Sequence, residues 1–112
     1  MKHLVLFFLL LFSLHSYSQD TTMYTHEDGS IEISYLDSNN ILETSILVRE
    51  NFQRWVTYYP NGQEREVAFY LSGHKEGRWL KYDEDGNIIH IAYYQLGHLI
   101  KVEKFFHKIA LR

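Results

Sequence analysis

The sequence predicts an all-β fold, a single antiparallel sheet built from tandem β-hairpin repeats with a period of 24 residues. Three observations predict it. The chain aligns on itself at that offset: Trp55 falls on Trp79, Tyr58 on Tyr82, Gly62 on Gly86, Tyr70 on Tyr94, Gly73 on Gly97 and His74 on His98. The stretches between the glycines are short, aromatic and β-branched, as in Trp55-Val56-Thr57-Tyr58-Tyr59, which favours strands closed by turns. With 112 residues and no cysteine, the chain is one small domain that must find its stability in strand pairing and packing rather than in disulfides.

The first element is a leader. Lys2 and His3 precede an apolar run over 4–14, interrupted by Ser13 alone, and the small-residue stretch Ser16-Tyr17-Ser18 follows. This is the layout of a secretory signal peptide, and the run is too short to cross a hydrocarbon core that needs about 20 apolar residues. Residues 1–18 are therefore expected to be a signal peptide cut before Gln19, and the mature chain to be exported, periplasmic or extracellular. No cysteine is present for a lipid anchor. Residues 19–30 form an N-terminal lead-in.

Hairpin repeats then occupy 31–102, as a degenerate unit at 31–54 and two clear ones at 55–78 and 79–102. Sliding the pattern back one period puts Ile31 on Trp55 and Tyr35 on Tyr59. In the second unit the strand from Trp55 ends at Pro60-Asn61-Gly62. Proline presets φ there, asparagine tolerates the turn, and Gly62 takes the left-handed residue that closes a hairpin through a bulge. Gly86 offers the same closure after Asp83-Glu84-Asp85. A second strand follows in each unit, over 64–70 and 88–94, with Val67/Phe69 and Ile89/Ile91/Tyr93 spaced by two along one face. Gly73 and Gly97 then turn the chain back. In the last segment, Leu99, Val102, Phe106 and Ile109 fit a helical stripe, whereas Ile100, Val102 and Lys104 before Phe105-Phe106 fit a strand. Repeat register favours the strand, so 103–112 is a cap, strand or helix, with the strand preferred.

The segments running from Arg54 to Gln63 and from Gly77 to Asn87 resemble the MORN-type repeats of the YwqK antitoxin family. That unit has tryptophan, then tyrosine, then an Asn/Asp-Gly turn, an apolar strand, tyrosine and a second glycine turn. Gln53 stands where the family's glycine precedes the tryptophan. The resemblance covers about 31–102 and implies a hairpin-repeat sheet serving as a binding or scaffolding surface, in some members as the neutralising partner of a toxin.

Composition narrows the chemistry. A formal charge of −3 is the wrong sign for a nucleic-acid footprint, and the absence of cysteine removes thiolate nucleophiles and cysteine-ligated metals. Glu64 and Glu66, placed on one strand face by alternation, are the nearest approach to an acid/base pair, with Asp83, Glu84 and Asp85 in a turn. His74 and His98 recur beside glycine turns but are too few for a metal, which wants three or four ligands. The sequence thus predicts neither catalytic residues, nor a metal, nor a cofactor, and the chain is expected not to be an enzyme. The candidate binding set is aromatic and cationic: Trp55, Tyr58, Trp79 and Tyr82, expected to stack along the repeat axis, with Arg54, Arg78 and Lys81 beside them. The expected function is an exported protein that binds a protein partner through one sheet face, a toxin being the partner the resemblance implies. The alternative is an envelope scaffold lying against membrane or cell-wall surface. Pairing of two copies through edge strands is a further expectation of so short an array.

Overall fold

The computed structural model describes residues 20–106. The expected signal peptide and residues 107–112 of the C-terminal segment lie outside the described residues. The described chain is all-β, one antiparallel sheet of nine strands: β1 (Asp20–Thr25), β2 (Ile31–Leu36), β3 (Leu42–Arg49), β4 (Phe52–Tyr58), β5 (Glu64–Leu71), β6 (His74–Lys75), β7 (Gly77–Tyr82), β8 (Ile88–Gln95) and β9 (His98–Lys104). Strands follow one another in hairpin order, with β1 and β9 at the edges. The two-residue β6 pairs with β5 alone, and β5 then pairs with β7, so β6 and β7 act as one strand interrupted at Glu76. The lead-in carries a strand, β1, and the segment from His98 to Lys104 is a strand rather than a helix.

Four of the connecting turns share one hydrogen-bond pattern. In His26–Ser30, Asp37–Ile41, Tyr59–Gln63 and Asp83–Asn87 the first N–H donates to the fifth carbonyl, and the fourth N–H to the first carbonyl. The fourth residue takes positive φ in each: Gly29 at 91°, Asn40 at 64°, Gly62 at 92° and Gly86 at 91°. This is a type I turn closed by a left-handed residue, which matches the twist of the flanking strands. Asp37 and Asp83 each brace their turn by accepting two backbone N–H bonds on Oδ1. At the other end of the sheet, Ser72-Gly73 and Leu96-Gly97 are two-residue turns in which both residues take positive φ.

The strand register corrects the alignment of the first unit. Ile33, Trp55, Trp79 and Val102 occupy equivalent ladder positions, separated by 22, 24 and 23 residues. The offset of 24 relates the last two units, whereas Ile33, not Ile31, stands where Trp55 stands, and Val102, not Glu103, where Trp79 stands. The difference lies inside the strands: Glu76-Gly77 interrupts the third strand pair, and Ile100 is a bulge residue between Tyr94↔Leu99 and Tyr93↔Lys101.

Cross-strand partners share a face, so the register sorts every side chain. One face, here the ladder face, carries the row Met23, Ile33, Ile46, Trp55, Ala68 and, beyond β5, Trp79, Ala92 and Val102. Its most buried part is Ile33, Tyr35 and Ile46, with Ile31, Val48 and Trp55 packed against them. The opposite, arginine face buries Val56, Val67 and Ile91 beneath longer neighbours. The apolar interior is thus divided between two faces of one sheet.

Candidate functional site

Parity along the strands divides the candidate residues. Trp55, Trp79 and Lys81 stand on the ladder face; Arg54 and Arg78 alternate with them and stand on the other. Tyr58 and Tyr82, three residues beyond each tryptophan, also fall away from the ladder face, and Tyr58 Oη lies 3.1 Å from Ser45 Oγ. The aromatic stack therefore differs from the expected one. It runs Trp55–Tyr70–Trp79–Tyr94, with ring centroids 6.1, 5.3 and 5.0 Å apart and interplanar angles of 66°, 69° and 54°. Tilted and edge-on contacts are what the ring quadrupoles favour. Tyr70 and Tyr94 recur at the same repeat position, and each stands opposite the residue two before a tryptophan, Gln53 and Gly77, which puts them on the tryptophans' face.

Trp79 is held both at its nitrogen and at its face. Its indole N–H donates to the Phe69 carbonyl at 3.0 Å, and Lys75 places its ammonium 4.9 Å from the Trp79 ring centroid and 5.0 Å from that of Tyr94. Trp55 donates to Gln53 Oε1 at 2.8 Å. Burial pushes the Tyr70 hydroxyl above its usual pKa, and the neighbouring Tyr94 adds to the shift.

Beside the ladder lies a shallow groove of about 680 Å³, floored by Trp79, Ala92 and Tyr94 and walled by Phe105 and Phe106. Ala92 follows Trp79 in the cross-strand row, and the step from a large ring to a methyl group makes the depression. Lys81, Lys104 and Glu66 bring charge to its border. An apolar floor with a charged border is the anatomy of protein interfaces. On the arginine face, Arg54 and Arg78 are exposed, and neither has a carboxylate within ion-pair distance among the described residues.

The acidic candidates divide between a turn and a strand. Asp83 is a turn brace, and Glu64 and Glu66 are separated by a bulge that sets Glu66 opposite Thr57 and Glu64 opposite Tyr58, residues of opposite faces. Alternation fails there because Arg65 is the extra residue. Pro60, Asn61 and Gly62 lie in the Tyr59–Gln63 turn, which docks on the next repeat: Tyr59 Oη donates to the Tyr82 carbonyl at 2.7 Å and Asn61 Nδ2 to the Glu84 carbonyl at 3.1 Å. At the other end, Gly97 N–H donates to the Lys75 carbonyl and Leu96 N–H to Glu76 Oε1, both at 2.9 Å. His74 and His98 stand near these turns, and no group of three or more potential metal ligands converges among the described residues.

Asp28 is the most perturbed acid. The Ser30 hydroxyl and amide, then the Arg49 guanidinium, donate to it and hold its carboxyl well below the usual carboxylate range. It too closes a turn.

No protein-family model, curated protein or solved structure matches the chain. Fold and surface define a class all the same, a hairpin-repeat sheet carrying an aromatic ladder and an apolar groove on one face.

Proposed function

We propose that this is an exported, non-enzymatic protein of MORN-like repeats that binds a protein partner through the ladder face. The observation that carries the reading is the groove: Trp79, Ala92 and Tyr94 offer a contiguous apolar floor with a charged border, next to rings already fixed by their neighbours. Rings immobilised before binding lose little entropy on association, which is the property of interface anchors. The leader at 1–18 supports export, and the resemblance of the repeats to YwqK-type antitoxins supports a toxin as the partner's class.

Affinity capture of the tagged protein from host lysate and medium tests the reading when run beside Phe106→Asp. Phe106 is 86% exposed, so a charge there alters the groove wall at little cost to folding. One stoichiometric polypeptide held by the wild type and lost by the variant is expected, with toxicity on deletion of the gene if the partner is a toxin. Recovery of cell-wall polymer or membrane instead would replace the reading with that of an envelope scaffold.

A further inference from the structure

The edge formed by β9 is unlike a solvated sheet edge. Six of the ten large apolar residues exposed among the described residues fall between Leu96 and Phe106, three of them on β9 itself: Leu99 at 55%, Ile100 at 60% and Val102 at 41%. Repeat arrays end in polar caps, and edge strands are blunted by charge, proline or brevity, because an open apolar edge templates another strand. The opposite edge, β1, has three threonines and an aspartate beside the exposed Met23 and Tyr24. β9 carries Lys101, Glu103 and Lys104 and a bulge at Ile100, but its charges alternate in sign across Val102 and the stretch from Lys101 onward is regular.

We infer that β9 pairs antiparallel with β9 of a second copy of this chain about a two-fold axis through Val102, joining two sheets into one. The register follows from the side chains. An antiparallel pair about a two-fold axis normal to the sheet matches residues of like parity, so the axis passes through a residue. With the axis at Val102, Lys101 faces the partner's Glu103 and Glu103 faces the partner's Lys101, while Val102 meets its own copy. With the axis at Lys101 or Glu103, two like charges stand directly opposite, which destabilises a sheet pair. Lys101 and Glu103 already lie 3.4 Å apart within the chain, so the dimer would carry a four-charge network on the arginine face. On the ladder face, Val102 ends the row Trp79, Ala92, Val102 and would join it to the same row of the partner. The match of charge and the continuity of that row commit the edge to a second copy rather than to an unrelated strand. The inference does not rest on the groove's being a binding site.

The chain contains no cysteine, so a single introduced one reports the register. In Val102→Cys the two thiols would lie opposite each other with Cβ atoms about 4.5–5.5 Å apart, near disulfide reach. In Ile100→Cys the two thiols would be four residues out of register, about 13 Å apart. Oxidised glutathione, taking the electrons of the two thiols, should therefore cross-link Val102→Cys and leave Ile100→Cys uncross-linked. Sedimentation velocity across a concentration series should show a reversible wild-type dimer. Lys101→Glu should weaken it about tenfold, since symmetry places two altered pairs in each dimer, and Lys101→Glu with Glu103→Lys should restore it. Far-ultraviolet circular dichroism of each variant separates lost pairing from lost fold. A wild type monomeric throughout, Ile100→Cys cross-linking as fast as Val102→Cys, or no rescue by the charge swap in a folded protein would each overturn the inference.

Discussion

The turn at Tyr59–Gln63 permits a stability test in which the protein supplies its own control. Gly62 holds φ at +92°, and a Cβ built there meets nothing within 4 Å, so any cost of substitution is a backbone cost and not a clash. The equivalent position two strands earlier is occupied by Asn40, which adopts φ of +64° within the same hydrogen-bond pattern. Asparagine is thus already accommodated by this turn. A left-handed backbone costs an ordinary L-residue about 1–2 kcal/mol, and a β-branched one lies at the upper end of the 1–3 kcal/mol range for strained residues. Replacing glycine also stiffens the unfolded chain, which returns about 0.4–1 kcal/mol. The net expectation is a loss of about 2 kcal/mol for Gly62→Val and under about 1 kcal/mol for Gly62→Asn.

For a domain of this size each kcal/mol lowers Tm by about 4–8 °C. Gly62→Val should therefore melt about 8–16 °C below the wild type, and Gly62→Asn within about 6 °C of it. Urea titrations followed by tryptophan fluorescence should rank the variants in the same order with unchanged m-values. The same reasoning places Gly86→Ala between the two, since a Cβ there meets only the mobile end of Gln63, at 3.4 Å. Coincident melts for Gly62→Val and Gly62→Asn would refute the argument, because they would mean that the left-handed residue does not govern the turn.

Two further predictions concern the ladder and the acid limb. Trp79→Ala should cost about 3 kcal/mol by removing two ring contacts and the apolar area they cover, whereas Trp79→Phe should cost about 1 kcal/mol by leaving the Phe69 carbonyl without its indole donor; equal urea midpoints for the two would count against the ladder. Asp28 has its folded pKa held below the unfolded value near 3.9, so its contribution is present above about pH 4 and is lost as pH falls further through the folded pKa. Asp28→Asn should accordingly flatten the fall in stability below about pH 4, and an acid limb parallel to that of the wild type would show that the Ser30 and Arg49 bonds do not operate in solution.

What the sequence made legible was the part of the fold that needs a particular residue type. Gly62 and Gly86 had to be nearly the same letter because a left-handed backbone restricts the choice, and Trp55 and Trp79 because a ladder of rings tolerates few substitutes. Those positions exposed the last two units and the all-β class. The first unit fills the same roles with other residues: Ile33 for tryptophan, Asn40 for glycine, Val48 for the ladder tyrosine. Physical equivalence there did not survive as identity of letters. Asp37 and Asp83 were the remaining sign, each opening a turn that it braces in the same way. β1 left no sign, since its residues are all exposed.

The irregular spacing has a physical cause that also bears on the site. An antiparallel sheet fixes which residues face one another but tolerates extra residues where a strand is bulged, so the repeat length can vary while the ladder stays aligned. Trp79 retains its row although Glu76-Gly77 precedes it, and the break gives two things in return. Glu76 supplies the acceptor for Leu96 N–H, and the Lys75 carbonyl takes Gly97 N–H, tying adjacent turns together. The same break leaves Lys75 over Trp79 and Tyr94, so the added residues hold a cation at the end of the aromatic row. A search for identical spacing reads such an insertion as noise. In the structure it is the feature that makes the last two units chemically different from the first, and the groove lies beside those two units.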